Sequence, residues 1–138
     1  IDTGEPITKV RDKLVSVNCY LGSSPIVGAL KRGAEIVITG RVADACLTVG
    51  PAVHELGWSW NDYPKIGAAT AAGHLIECGA QVTGGLWTSW EQITNLAGVG
   101  YPFADISEDG SITISKPEGT GGVVNTETVA EQLLYEVA

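Results

Sequence analysis

The 138-residue sequence is 44% hydrophobic and 17% charged, too apolar for a disordered acidic tail. It is long enough for one domain with a core and short for two. Residues 1–35 carry five basic and four acidic side chains, residues 36–138 three and twelve, for a net charge of −8; the absence of Lys and Arg from 66–115 argues against a nucleic-acid or anionic-lipid surface.

Along the chain, residues 1–13 read as polar and irregular. The alternation Leu14-Val15-Ser16-Val17-Asn18-Cys19-Tyr20-Leu21 predicts a strand, stopped by Gly22-Ser23-Ser24-Pro25. Ser24 and Pro25 suit the start of a helix over 26–32, which Lys31, Arg32 and Gly33 would end. The apolar, β-branched run Ala34-Glu35-Ile36-Val37-Ile38-Thr39 predicts a second strand, buried on both faces as in a parallel sheet. Strand, helix, strand spells a right-handed βαβ unit.

Asp44 is placed to cap a helix reaching Gly50-Pro51, and Pro51 to open a short second helix with His54 and Glu55. Residues 58–64 form an aromatic loop, and 65–78 a helix of small residues that permits close packing. Gln81-Val82-Thr83 reads as a third strand. After the turn-rich 86–104, Asp105–Ser107 and Ser111–Ser115 predict a hairpin around Asp109-Gly110. Thr126 would cap a last amphipathic helix with Val129, Leu133, Leu134 and Val137 apolar. The fold class expected is therefore α/β: a βαβ-based, mainly parallel sheet with helices packed on it, plus a C-terminal β-hairpin and helix.

No run approaches the roughly 18 apolar residues of a membrane span, and no signal peptide is read in the sequence, though a cut N-terminus would have lost one. The lack of Met and the opening Ile1-Asp2 read as a processed or excised piece. Cys19, Cys46 and Cys78 are odd in number and scattered, which favours a reducing compartment and a cytoplasmic location over a disulfide framework.

Three groups carry candidate chemistry. Arg41 and Asp44 follow the second expected strand, where ligands gather in open parallel sheets, and a guanidinium fork suits carboxylate or phosphate. The plain alternative makes Asp44 a helix cap and Arg41 its ion partner. His74-x-x-Glu77-Cys78 puts His74 and Cys78 one helical turn apart with Glu77 alongside. With His54 as a third ligand this is a candidate divalent-metal site, although the spacing matches no established zinc signature. A His stabilised by a helix C-terminus is the alternative. The glycine loops Thr83-Gly84-Gly85 and Lys116–Gly122 would let amides approach an oxyanion, with Lys116 adding charge; tight turns are the simpler account. There is no GxSxG elbow, which disfavours that class of hydrolase. The four Trp, all within 58–90, suit a pocket, an interface or the core.

Five ordered strings resemble one family: Ile36–Asp44, Gly50–Trp58, Ala72–Gly85, Lys116–Gly122 and Thr128–Glu136. Together they are similar to the acyclic terpene utilisation (AtuA-like) family. The resemblance runs from about Val15 onward and implies one α/β domain over 1–138 that is part of a larger AtuA-like domain. It further implies catabolism of branched terpenoids such as citronellol or geraniol through acyl-CoA thioesters. The resemblance supplies no catalytic residues; from the candidate groups above we expect His74, Glu77 and Asp44 as catalytic groups. Arg41, Lys116, Thr120 and Gly121 would bind a branched acyl or acyl-CoA substrate, and His54, His74 and Cys78 would be the metal set. The expected partners are that substrate, the remainder of a longer chain or a partner chain, and further copies in a homo-oligomer. The alternative function is a non-catalytic subunit or binding module for a hydrophobic metabolite or partner protein.

Overall fold

A computed structural model describes residues 4–135. Four helices and one hairpin make up its regular structure: α1 (Ser24–Leu30), α2 (Cys46–Glu55), α3 (Tyr63–Glu77), β1 (Phe103–Ile106), β2 (Ile112–Ser115) and α4 (Thr126–Leu134). Short 3-10 turns fill parts of the connections, among them Gly79–Gln81.

The centre lies where α1, α2 and α3 meet. Val27, Val49, Ala52, Val53, Trp58 and Ala69 are buried together, with Leu56, Ile66 and Ile106 packed against them. Removing each large side chain among these from water contributes about 1.5–3 kcal/mol. The small residues of α2 and α3 set the spacing. A Cβ on Gly73 would lie 2.8 Å from the Ala45 Cα, and one on Gly50 would lie 2.8 Å from Ile26 Cγ2. Helix α2 runs straight through Pro51, so the two short helices expected there are one. Proline has no amide to give the Leu47 carbonyl, a cost the buried Val49, Ala52 and Val53 outweigh. Ala45 occupies the N-cap position, and Asp44 makes no capping bond.

The hairpin forms as its Asp-Gly turn predicts. Phe103 pairs with Ser115 and Ile106 with Ile112, antiparallel. Gly110 takes φ +91° in the turn, and Asp109 Oδ1 accepts the Ser111 amide at 2.9 Å. Trp58 ties the hairpin to the helices: its indole donates to the Glu108 carbonyl at 3.0 Å, while the Lys65 ammonium lies 5.8 Å from its ring centroid.

Helix and strand are thus both present, but the parallel sheet is not formed. The only sheet among the described residues is the two-stranded hairpin. Residues 14–21 and 34–42 meet in parallel at a single bridge, Leu21–Val42. A parallel pair holds when both faces are covered. Here residues 14–20 are exposed, and so are Ile36 and Ile38, so that cover is missing. The third expected strand is a turn. Thr83 is fully buried, and its hydroxyl bridges the Ala80 and Gly100 carbonyls at 3.0 and 2.6 Å. Gly79 and Gly84, both at positive φ, bend the chain on either side.

The cap of α4 is Asn125, one residue before the Thr126 expected. Asn125 accepts from the Thr128 amide at 2.9 Å and the Thr128 hydroxyl accepts in return, a reciprocal capping box. The helix buries Thr128 and Gln132, while Leu133 and Leu134 are exposed, because the neighbouring surface offers polar partners. Val137 lies outside the described residues.

Candidate functional site

The chain segment that leaves the Leu21–Val42 bridge passes directly into a cleft of about 460 Å³. Thr39, Gly40, Arg41, Val42, Asp44, Leu47 and Glu77 form its walls. Three of the residues singled out by chemistry therefore meet there: Arg41, Asp44 and Glu77. Arg41 comes from the extended segment, Asp44 from the turn before α2, and Glu77 from the last turn of α3. They are gathered because Gly73 lets α3 press onto Ala45.

Arg41 is exposed, and among the described residues its guanidinium makes no ion pair with any carboxylate. Its partner is Tyr20. The Arg41 Nη1 donates to the Tyr20 hydroxyl at 3.1 Å, and the guanidinium carbon lies 5.2 Å from the ring centroid. The tyrosine thus holds the fork by one hydrogen bond and a cation–π contact and leaves the remaining donors for an anion. Asp44 and Glu77 on the same cleft are exposed carboxylates, able to accept hydrogen bonds from a hydroxyl or amide of a bound molecule. Sequence reasoning missed Tyr20: no local period joins residues 21 apart, and the signal appears only once the Leu21–Val42 bridge sets their alignment.

The other candidates lie elsewhere. The His74 imidazole Nε2 donates to the Gln132 carbonyl at 2.8 Å, and the Gln132 side-chain amide donates to the His74 carbonyl at 3.0 Å, so His74 clasps α3 to α4. His54 holds Nε2 3.8 Å from Glu55 Oε1, with Nδ1 buried and unpaired. No group of three or more His, Cys, Asp or Glu among the described residues is placed to hold a metal ion, so His54, His74 and Cys78 do not converge as a ligand set.

Lys116, Thr120 and Gly121 do come together, but around their own loop. The Lys116 ammonium donates to the Thr120 carbonyl at 2.8 Å, and the Thr120 hydroxyl donates to the Pro117 carbonyl at 2.6 Å. Gly121 pairs with Val99 in an isolated parallel bridge, so close to Asn95 that a Cβ would sit 1.9 Å from its carbonyl oxygen. The glycine is needed for backbone approach to backbone. None of the three lines the Arg41 cleft. Of the tryptophans, Trp58 and Trp87 are buried and Trp60 and Trp90 exposed, so no common Trp pocket forms.

The family model of the acyclic terpene utilisation family protein AtuA matches residues 1–138. The chain belongs to the AtuA family. No curated protein and no solved structure matches it. Among the described residues of this AtuA-family chain, no helix is long and apolar enough to cross a membrane.

Proposed function

We propose that this AtuA-family chain serves acyclic terpene utilisation by binding the anionic group of a branched acyl or acyl-CoA intermediate at Arg41. The supporting observation is a guanidinium held by Tyr20, facing a cleft, with no carboxylate of the described residues as its partner. Asp44 and Glu77 flank the bound group as hydrogen-bond acceptors and candidate proton carriers. Their negative charge disfavours anions that Arg41 does not engage directly, which selects for a ligand seated on the fork.

Calorimetric titration of the chain with a branched-chain carboxylate and with its CoA thioester tests this. A hydrogen bond to a charged group contributes about 1.5–3 kcal/mol, so Arg41→Ala is expected to weaken binding by roughly 10- to 150-fold. Arg32→Ala, which removes the same charge from an exposed site, is the control. Equal weakening by both variants, or by neither, overturns the reading. Turnover lost in Glu77→Gln or Asp44→Asn with affinity retained would mark an enzyme; affinity without turnover would mark the binding module.

A further inference from the structure

The exposed residues of 14–21 and 34–42 are not randomly apolar. Val15 and Val17 are 100% and 70% exposed, Ile36 and Ile38 83% and 92%. Among the described residues, no backbone–backbone hydrogen bond engages 15–20 or 35–40. Yet the two segments are already joined at one end: the Leu21 amide donates to the Arg41 carbonyl at 3.1 Å, and the Ala43 amide to the Leu21 carbonyl at 3.1 Å. That bridge fixes an offset of 21 residues. Tyr20 and Arg41, in contact through side chains, obey the same offset. Carried one way along the chain, it sets Val17 beside Ile38 and Val15 beside Ile36, apolar next to apolar on one face. A slip of one residue would put each side chain on the opposite face and break the Tyr20–Arg41 contact.

We infer that residues 15–20 are a strap that closes onto residues 36–41 as a parallel strand, in the register set by Leu21 and Val42. Closure continues the existing pairing. Cys19 and Val17 donate to the carbonyls of Thr39 and Val37, and Arg41 and Thr39 donate to those of Cys19 and Val17, the alternate pattern of a parallel ladder. The occupant of the exposed row at 36–38 is thus the chain's own segment. Closure also extends the apolar wall of the cleft of about 300 Å³ that α1 forms with 37–42, since Val17 comes to lie beside Ile38. It holds Tyr20 opposite Arg41, which makes Tyr20 a positioning residue for the cleft. The inference stands on the register and does not depend on which ligand Arg41 takes.

Two measurements on the whole chain test it. Paired positions on adjacent strands lie about 4.8 Å apart, within the Cα range of a disulfide, about 4.4–6.8 Å. In a background of Cys19→Ser, Cys46→Ala and Cys78→Ser, the pair Val17→Cys/Ile38→Cys is expected to form an intramolecular disulfide at least ~10-fold faster than the off-register pair Ser16→Cys/Ile38→Cys. Equal rates, no disulfide, or an exclusively intermolecular product overturns the strap. In the unsubstituted protein, amide exchange should alternate, Val17, Cys19, Thr39 and Arg41 exchanging at least ~10-fold more slowly than Asn18 and Ile38. Uniformly fast exchange along both segments overturns it independently of any variant.

Discussion

His74 and Gln132, 58 residues apart in sequence, grip one another by two reciprocal hydrogen bonds. The imidazole Nε2 donates to the Gln132 carbonyl at 2.8 Å, and the Gln132 side-chain amide donates to the His74 carbonyl at 3.0 Å. Gln132 is buried and its Oε1 has no partner; its side chain is held by the amide nitrogen's bond to His74, while its carbonyl accepts from both His74 and the Tyr135 amide. A residue that looked like an acid–base group in the sequence is here the joint between the third and fourth helices.

That joint predicts an energetic coupling. His74→Ala leaves the Gln132 carbonyl with the Tyr135 amide, 3.2 Å away, as its remaining donor, and Gln132→Ala removes the side-chain donor to the His74 carbonyl, each bond lost costing about 0.5–1.5 kcal/mol. The two bonds share both residues, so the double variant should cost less than the sum of the singles, by about 0.5–3 kcal/mol of coupling. Urea unfolding of the four proteins measures it. Strict additivity would mean that the bonds do not act together.

The parts of the fold that local chemistry determines were legible in the sequence. Asp109-Gly110 between alternating residues marked the hairpin, and Pro25 marked the opening of a helix where its missing amide costs nothing. The register of α4 was harder. Thr126 and Asn125 are both good caps, and only the reciprocal bond with Thr128 distinguishes them. The apolar runs at 14–21 and 34–39 were read as strands and meet only at the Leu21–Val42 bridge, because whether such runs pair depends on what lies beside them, which no window of sequence contains. The site was half legible for the same reason. The strand-end position singled out Arg41 and Asp44 and helical spacing Glu77, and the three line one cleft. Lys116 looked like a spare cation, and the carbonyl of Thr120 that occupies it became visible only in three dimensions.

Two glycines of one helix should respond with opposite signs. Gly67 of α3 is exposed, and a Cβ added there would meet nothing within 4 Å, whereas a Cβ on Gly73 would lie 2.8 Å from the Ala45 Cα. Gly67→Ala is expected to stabilise by about 0.5–1 kcal/mol through the entropy of the unfolded chain. Gly73→Ala gains the same propensity but must move backbone against backbone, for a net loss of about 1–3 kcal/mol. Because Asp44 and Glu77 flank this contact, Gly73→Ala should also weaken ligand binding at Arg41, and Gly67→Ala should not. Stabilisation by both variants in thermal unfolding would refute the close approach of α3 to Ala45.

Lys116 offers a direct contrast with Arg41. Its ammonium closes the loop by donating to the Thr120 carbonyl at 2.8 Å, whereas the Arg41 fork faces a cleft. Lys116→Met keeps most of the aliphatic stem and removes the donor, so stability should fall by about 0.5–1.5 kcal/mol. Affinity for the branched-chain carboxylate should stay at the parental value. A large loss of affinity with unchanged stability would instead return Lys116 to the binding surface.

The hairpin turn carries the clearest pH dependence. The Ser111 amide, and then the Ser111 side chain, hydrogen-bond the Asp109 carboxylate and hold its pKa below the ordinary 3.8, against a small opposing effect of burial. A carboxylate whose folded pKa is lowered binds fewer protons folded than unfolded. Its contribution is therefore complete above the unfolded value, and it fades as pH falls from there through the lowered one. Asp109→Asn retains a side-chain oxygen for the Ser111 amide but has no charge to titrate. The parent should melt above the variant by a constant margin from about pH 5 to pH 7, and the margin should shrink below about pH 4. Calorimetric melting of both proteins across that range checks the sign. A margin that instead widens on acidification would mean the folded turn favours the protonated acid, contrary to the Ser111 hydrogen bonds.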